Sequence, residues 1–335
     1  MIHGGPNTQI RGTLRHMPQQ GVQALFFDSW KPLRAGECDL VHLFGANIGT
    51  YHLARELRGE GIPTVVSPIL FSTHSPTFVR VGLAGSRLLQ KLGAGLWSDY
   101  VFQADICNWA RKVLPNTRVE AELVAKGLGV PQANLRVIPN GVDERFADAD
   151  PSIFRNRYGL KDFILNVGHV GPGRKNTLRL IRALGGIDHP AVIIGRITKG
   201  HGGEECVHEA SKRRNILLID GLDHDSPLLA SAYAACRVFV LPSLFETPGI
   251  AALEAALAGA RVVITPYGGT KEYFEDMATY VDPESVESIR AAVFAALDEK
   301  ESHRLRNHVR SNFLWQEVAR KTALAYREAT GGTAA

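Results

Sequence analysis

The stretch Val238–Gly269, VFVLPSLFETPGIAALEAALAGARVVITPYGG, constrains the chain more than any other. Val238-Phe239-Val240-Leu241 has the length and β-branched character of a buried strand, and it stops at Pro242-Ser243. Thr247-Pro248 reads as a helix start, a hydroxyl N-cap followed by proline at the first helical position. Gly249 to Leu257 continues as a helix rich in alanine and leucine, and Gly259 ends it. Arg261–Thr265 is a second apolar strand, followed by a glycine turn at Gly268-Gly269. A strand–helix–strand unit of this kind belongs in an open parallel sheet, which binds ligands at the carboxyl ends of its strands.

Two carboxylates sit on this unit. Glu246 is expected to be exposed at the strand's tip, within reach of a ligand's reactive end. Glu254 lies about two turns into the helix and can turn toward the ligand's other end. Between them the N–H groups of Gly249, Ile250 and Ala251 open the helix, with the positive end of its dipole behind them. That is a seat for an anion such as a phosphate. The simpler alternative makes Glu246 a helix cap and Glu254 a solvated face residue. Taken together, with Pro248-Gly249 between them, the pair favours a ligand site.

A chain of 335 residues that is 45% hydrophobic is long enough for two ordinary domains. Its net charge of +4 is spread along the sequence without the basic stripe that nucleic-acid binding wants. Mild basicity agrees equally with an anionic nucleotide and with an anionic membrane surface. Cys38, Cys107, Cys206 and Cys236 are far apart, so neither a zinc site nor a disulfide framework is expected, and a reducing cytoplasm fits. Peripheral contact at the inner face of a membrane stays open as an alternative. No window approaches the length of a membrane span.

Gly4-Gly5-Pro6 opens the chain, ahead of a polar, helix-compatible stretch to Met17. Val22–Phe27 and Leu40–Phe44 read as strands, Tyr51–Gly59 as a helix, and Thr64–Leu70 as a strand ending at His74. Leu88–Leu92 belongs to a helix, Tyr100–Gln103 to a short strand, and Leu135–Ile138 to the last strand of this half. The alternation implies a parallel, doubly wound sheet for residues 1–150, closed by the turn Asn140-Gly141. Residues 151–312 restart the pattern. Phe163–Val167 is a strand, Gly168–Asn176 a glycine-rich loop carrying Arg174 and Lys175, and Thr177–Leu184 a helix. Flexible backbone, fixed positive charge and a helix start together build a phosphate cradle. Strands Ala191–Gly195 and Ile216–Ile219 end in Arg196 and in Asp220-Gly221-Leu222. A terminal helix occupies residues 313–330.

The spacing of Glu246 and Glu254 with Gly249 between them resembles the Glu-x7-Glu signature of the family-4 retaining glycosyltransferases. Phe239–Ser243, Gly259–Val263, the Val137–Asp143 turn and the Lys175-Asn176 pair are similar to that family too. The resemblance implies an α/β, GT-B fold: two doubly wound Rossmann-like domains facing a central cleft, with the final helix packed back on the first. It implies that Glu246 contacts the donor sugar and Glu254 the nucleotide ribose, near Thr247, Gly249 and Ile250. Lys175 matches the family's diphosphate-binding lysine. The family's arginine is replaced here by His169, and Arg174 is the cation that can supply the lost charge. His74 would face the sugar, Gly4 and Gly5 would form the glycine loop touching donor and acceptor, and Arg196 and Leu222 would flank the base. The family places a central strand before that glycine loop, so either this sheet is differently filled or the natural chain begins upstream of Met1.

The resemblance therefore implies a retaining glycosyltransferase that moves a sugar from a nucleoside-diphosphate sugar to a glycan, lipid-linked or small-molecule acceptor. No cofactor or metal is expected, and the Asp-x-Asp at Asp148-Ala149-Asp150 falls in the linker. A non-catalytic nucleotide-sugar-binding or partner subunit of the same fold, or a sugar-nucleotide epimerase, is the alternative.

Overall fold

The computed structural model describes residues 5–34, 36–93, 98–300 and 302–331, which leaves Gly4 outside. The chain divides into two units, Met1–Gly141 with Trp315–Ala335, and Val142–Leu314. The first holds α1 (Gly5–His16), β1 (Val41–Phe44), α2 (Ile48–Gly59), β2 (Thr64–Ser67), α3 (Pro76–Lys91), α4 (Asp99–Trp109), β3 (Lys112–Val113) and α5 (Arg118–Glu122). The second begins with α6 (Ser152–Tyr158), β4 (Phe163–Val167), α7 (Thr177–Leu184), β5 (Ala191–Ile194), α8 (His201–Ser211) and β6 (Ile216–Ile219). It continues through α9 (Pro227–Ala235), β7 (Cys236–Leu241), α10 (Ile250–Ala258), β8 (Arg261–Ile264) and α11 (Thr270–Phe274). It ends with β9 (Thr279–Tyr280), α12 (Val286–Asp298) and α13 (Arg304–Asn312), after which α14 (Trp315–Thr330) returns to the first unit.

In the first unit, the described strands form one parallel sheet in the order β1-β2-β3. All four residues of β2 are buried, as a central strand covered on both faces requires. Side chains start the helices. Asn47 accepts from the Gly49 amide at 2.9 Å while Thr50 accepts from the Asn47 amide, and Ser75 caps α3 ahead of Pro76. Trp315, Val318, Ala325 and Ala329 of α14 share a core with Val65, Leu114 and Ile138.

Six parallel strands make the second unit's sheet, in the order β6-β5-β4-β7-β8-β9. Alternate residues go to opposite cores. Phe163 and Leu165 of β4 join Phe239 and Leu241 of β7 on one face, and Ile164 joins Val238 and Val240 on the other. The chain runs outward from β4 to β6, then returns to place β7 against the other side of β4. Buried Asn166 ties the two strands, its amide donating to the Val240 carbonyl at 2.7 Å. The strand order reverses at this pair, the position where open parallel sheets bind their ligands.

Several sequence expectations are corrected. Val22–Phe27 forms no strand: Val22 and Ala24 pack near Met17 and Ala323, while Leu25, Phe26 and Phe27 face solvent. Tyr100–Gln103 lies inside α4, because Val101, Ala104 and Cys107 are buried at helical rather than alternating spacing. Leu135–Ile138 is no regular strand: Leu135 makes an isolated bridge to Val113, and the Arg136 and Ile138 amides donate to the Val113 and Pro115 carbonyls. The unit boundary falls at Gly141 rather than residue 150, since Val142, Phe146 and Ala147 belong to the second core. Gly5 is the first residue of α1 rather than part of a loop.

Candidate active site

The loops leaving β4 and β7 meet over one carboxylate. Lys175 Nζ lies 2.6 Å from Glu246 Oε1, and Arg174 Nη1 lies 3.3 Å from the same oxygen. Arg174 also donates to the Phe245 carbonyl at 3.0 Å, and its backbone carbonyl accepts from the Leu244 amide. Contrary to the exposed position expected at a strand's tip, Glu246 is buried. Burial by itself would raise its pKa; the cations of Lys175 and Arg174 overcome that and hold the carboxyl below its ordinary value. With two cations to one carboxylate, the cluster carries a net positive charge.

Backbone contacts fix where Glu246 stands. Its amide donates to the Tyr267 carbonyl, and its own carbonyl accepts from the Gly269 amide at 2.9 Å. Gly268 makes this possible. Its φ is +94°, and a Cβ there would stand 2.0 Å from the Glu246 carbonyl oxygen.

Helix α10 starts later than Thr247-Pro248 suggests. Thr247 is not the cap; Gly249 is, at φ 75° and ψ 66° in the left-handed region, with Ile250 the first helical residue. A hydroxyl N-cap needs extended backbone, and this turn instead reverses through a glycine. The first amides of α10 open close behind Glu246 in the chain, with the positive end of the helix dipole.

Glu254 is buried and held by two donors that sequence reasoning missed. Tyr233 of α9 donates its hydroxyl to Oε2 at 2.7 Å, and Nε2 of His224 lies 2.7 Å from Oε1. His224 follows β6 in the run Leu222-Asp223-His224-Asp225 and stays part-exposed. Its hydrogen bond to Glu254 raises its pKa, against burial and the nearby Arg145 charge. Arg145 Nη2 lies 3.2 Å from His224 Nδ1. A histidine flanked by acids at a strand's carboxyl end was a readable signal. Tyr233, inside an alanine-rich helix, was not.

The remaining candidates fall around this pair or in the other unit. Arg196 is exposed, and its carbonyl accepts from the Val170 amide in the loop after β4. Leu222 is half-buried against the second core. His74 belongs to the first unit, where Nδ1 lies 3.1 Å from the Tyr100 hydroxyl and the ring stacks on Phe78. Among the described residues no three His, Cys, Asp or Glu side chains cluster so as to hold a metal ion.

Two parallel-sheet units with helices on the sheet faces, and a strand-order reversal under the second unit's carboxylate, define a GT-B protein. The structure of Anabaena HepE in complex with UDP and glucose aligns with a TM-score of 0.67 at 17% identity, covering 84% of this chain and 77% of that one. Two family descriptions match the sequence: Glycosyltransferase Family 4 over residues 4–146 and Glycosyl transferases group 1 over residues 153–312. The chain belongs to these family-4-type glycosyltransferases. An uncharacterized glycosyltransferase of Methanocaldococcus jannaschii is 26% identical, covering 86% of this chain and 73% of its own. The MMP alpha-(1->4)-mannosyltransferase of Mycolicibacterium hassiacum is 24% identical over 90% of this chain and 73% of its own.

Proposed function

We propose that this glycosyltransferase moves a sugar from a nucleoside-diphosphate donor with retention of configuration, the charge of the leaving diphosphate being met by side chains. The observation that carries this reading is the Lys175–Glu246–Arg174 cluster at the sheet's switch point. Two cations held by a buried carboxylate are preorganised, so they need not be ordered again when negative charge develops on the β-phosphate. Lys175 and Arg174, with the α10 amides of Ile250 and Ala251, are assigned to the diphosphate. Glu246 is assigned to the donor sugar, whose hydroxyls take its remaining lone pairs. Glu254 is assigned to the ribose. Tyr233 and His224 take one bond on each oxygen, and a carboxylate accepts about four. Attack of the acceptor hydroxyl from the face the phosphate leaves accounts for retention, and His74 is assigned to the sugar on the first unit. The acceptor is a glycan, a lipid-linked sugar or a small molecule.

Calorimetric titration of two variants tests the division of roles. Glu254→Gln is expected to weaken nucleoside diphosphate and full donor alike, by about tenfold for one charge-assisted hydrogen bond. Glu246→Gln is expected to spare the bare nucleotide and to lower donor turnover. Equal weakening of the bare nucleotide by both variants would show the assignment to be wrong.

A further inference from the structure

We propose that the outer face of α3 docks on an anionic lipid surface. The helix is apolar on two sides. Val79 and Leu83 are buried in the first unit's core, whereas Phe78, Val81, Leu88, Leu89 and the following Leu92 are 56%, 68%, 59%, 42% and 74% exposed. At 3.6 residues per turn these five fall within one arc of about 100°, a stripe roughly 20 Å long. Single exposed apolar residues are ordinary, but a continuous stripe on a well-formed helix marks a surface that is covered in use.

Charge selects the cover. No residue of α3 is acidic, and Arg80, Arg87 and Lys91 line one edge of the stripe. Arg87 is paired with Asp105 at 2.6 Å. Arg80 donates to the Lys126 carbonyl, which leaves its charge intact. A second copy packed antiparallel on this face would bring the same basic edge alongside it, whereas lipid phosphates complement it. An apolar stripe beside a basic edge is the pattern of a helix lying in the membrane interface. It lies on the surface rather than crossing it: among the described residues no helix is long and apolar enough to span a bilayer. The inference is independent of the donor reading, because lipid binding is measured without turnover.

Co-sedimentation of the full chain with phosphatidylcholine vesicles, with and without phosphatidylglycerol, tests it. Binding is expected to be about tenfold or more stronger on the anionic vesicles and to weaken in high salt. Leu88→Glu combined with Leu92→Glu is expected to weaken it by about tenfold or more. Val207→Glu, which alters an exposed apolar residue of α8, is expected to leave it unchanged. Lys91→Glu changes charge alone on an exposed side chain and keeps the test decisive if the double variant unfolds; a several-fold loss is expected. Absence of binding to anionic vesicles, or undiminished binding by the Lys91→Glu and double variants, overturns the proposal. So does a dimer, seen by light scattering, that the double variant dissolves, since the cover is then a second copy of the chain.

Discussion

At the scale of single residues, the two glutamates of the site are stabilised by opposite means. Glu246 is held by charge, between Lys175 and Arg174. Glu254 sits among the alanines and leucines of α10, where an unpartnered carboxylate would be strongly unfavourable, and is held by hydrogen bonds. Burial first, and Glu254 second, push the Tyr233 phenol well above its ordinary pKa, so it remains a donor throughout the working range. The His224 contribution, unlike that of Tyr233, changes within the working range. It is fully present below the ordinary imidazole pKa and fades as pH rises through the raised folded value. Tyr233→Phe keeps the ring against Phe146 and Phe239 and deletes only the donor. Urea unfolding at neutral pH is expected to show a loss of about 1–3 kcal/mol; an unchanged midpoint would mean that Glu254 has another donor.

At the scale of elements, the site depends on three loops converging at one sheet edge. The loop after β4 supplies the cations, the loop after β7 supplies Glu246, and the loop after β8 holds Glu246 through Tyr267 and Gly269. The last is the narrowest fit, because Gly268 combines a left-handed φ with backbone contact to Glu246. Gly268→Ala is expected to destabilise the protein by about 2 kcal/mol or more and to displace Glu246. Thermal melts and donor turnover check this together. Unaltered turnover in the variant would show that the Glu246 backbone position tolerates movement.

At the scale of the whole chain, the C-terminal helix belongs with the N-terminal unit. His42 of β1 is one polar link to it: Nδ1 lies 2.7 Å from the Tyr326 hydroxyl, and Nε2 lies 3.0 Å from Ser67 Oγ. Glu328 of α14 adds ion pairs with Lys112 and Arg136. Burial lowers the His42 pKa from 6.5 to about 3, so the folded chain holds the ring neutral where the unfolded chain protonates it. Its stabilising effect is therefore complete above pH 6.5 and is lost as pH falls from there toward 3. The slope is at most about 1.4 kcal/mol per pH unit. His42→Gln is expected to flatten the acid limb of stability against pH, followed by urea unfolding between neutral pH and pH 4. An unchanged acid limb would assign the loss to other groups.

Local chemistry already specified much of the second unit. The apolar runs at Phe163, Ala191, Ile216, Val238 and Arg261 became its parallel strands because short apolar, β-branched runs bounded by turns need no long-range information to be recognised. Glu246, Glu254, Arg174 and Lys175 could be singled out from their loops and spacing. Tertiary structure decided their partners: that Lys175 and Arg174 face Glu246, and that Glu254 is closed by Tyr233 and His224. It also decided the first half. There Val22–Phe27 has strand composition without a neighbour to pair with, and Tyr100–Gln103 was claimed by a helix whose buried face it completes. A strand's hydrogen bonds and a buried carboxylate's donors both come from residues distant in the chain, so propensity can propose such elements but only the packed fold can select them.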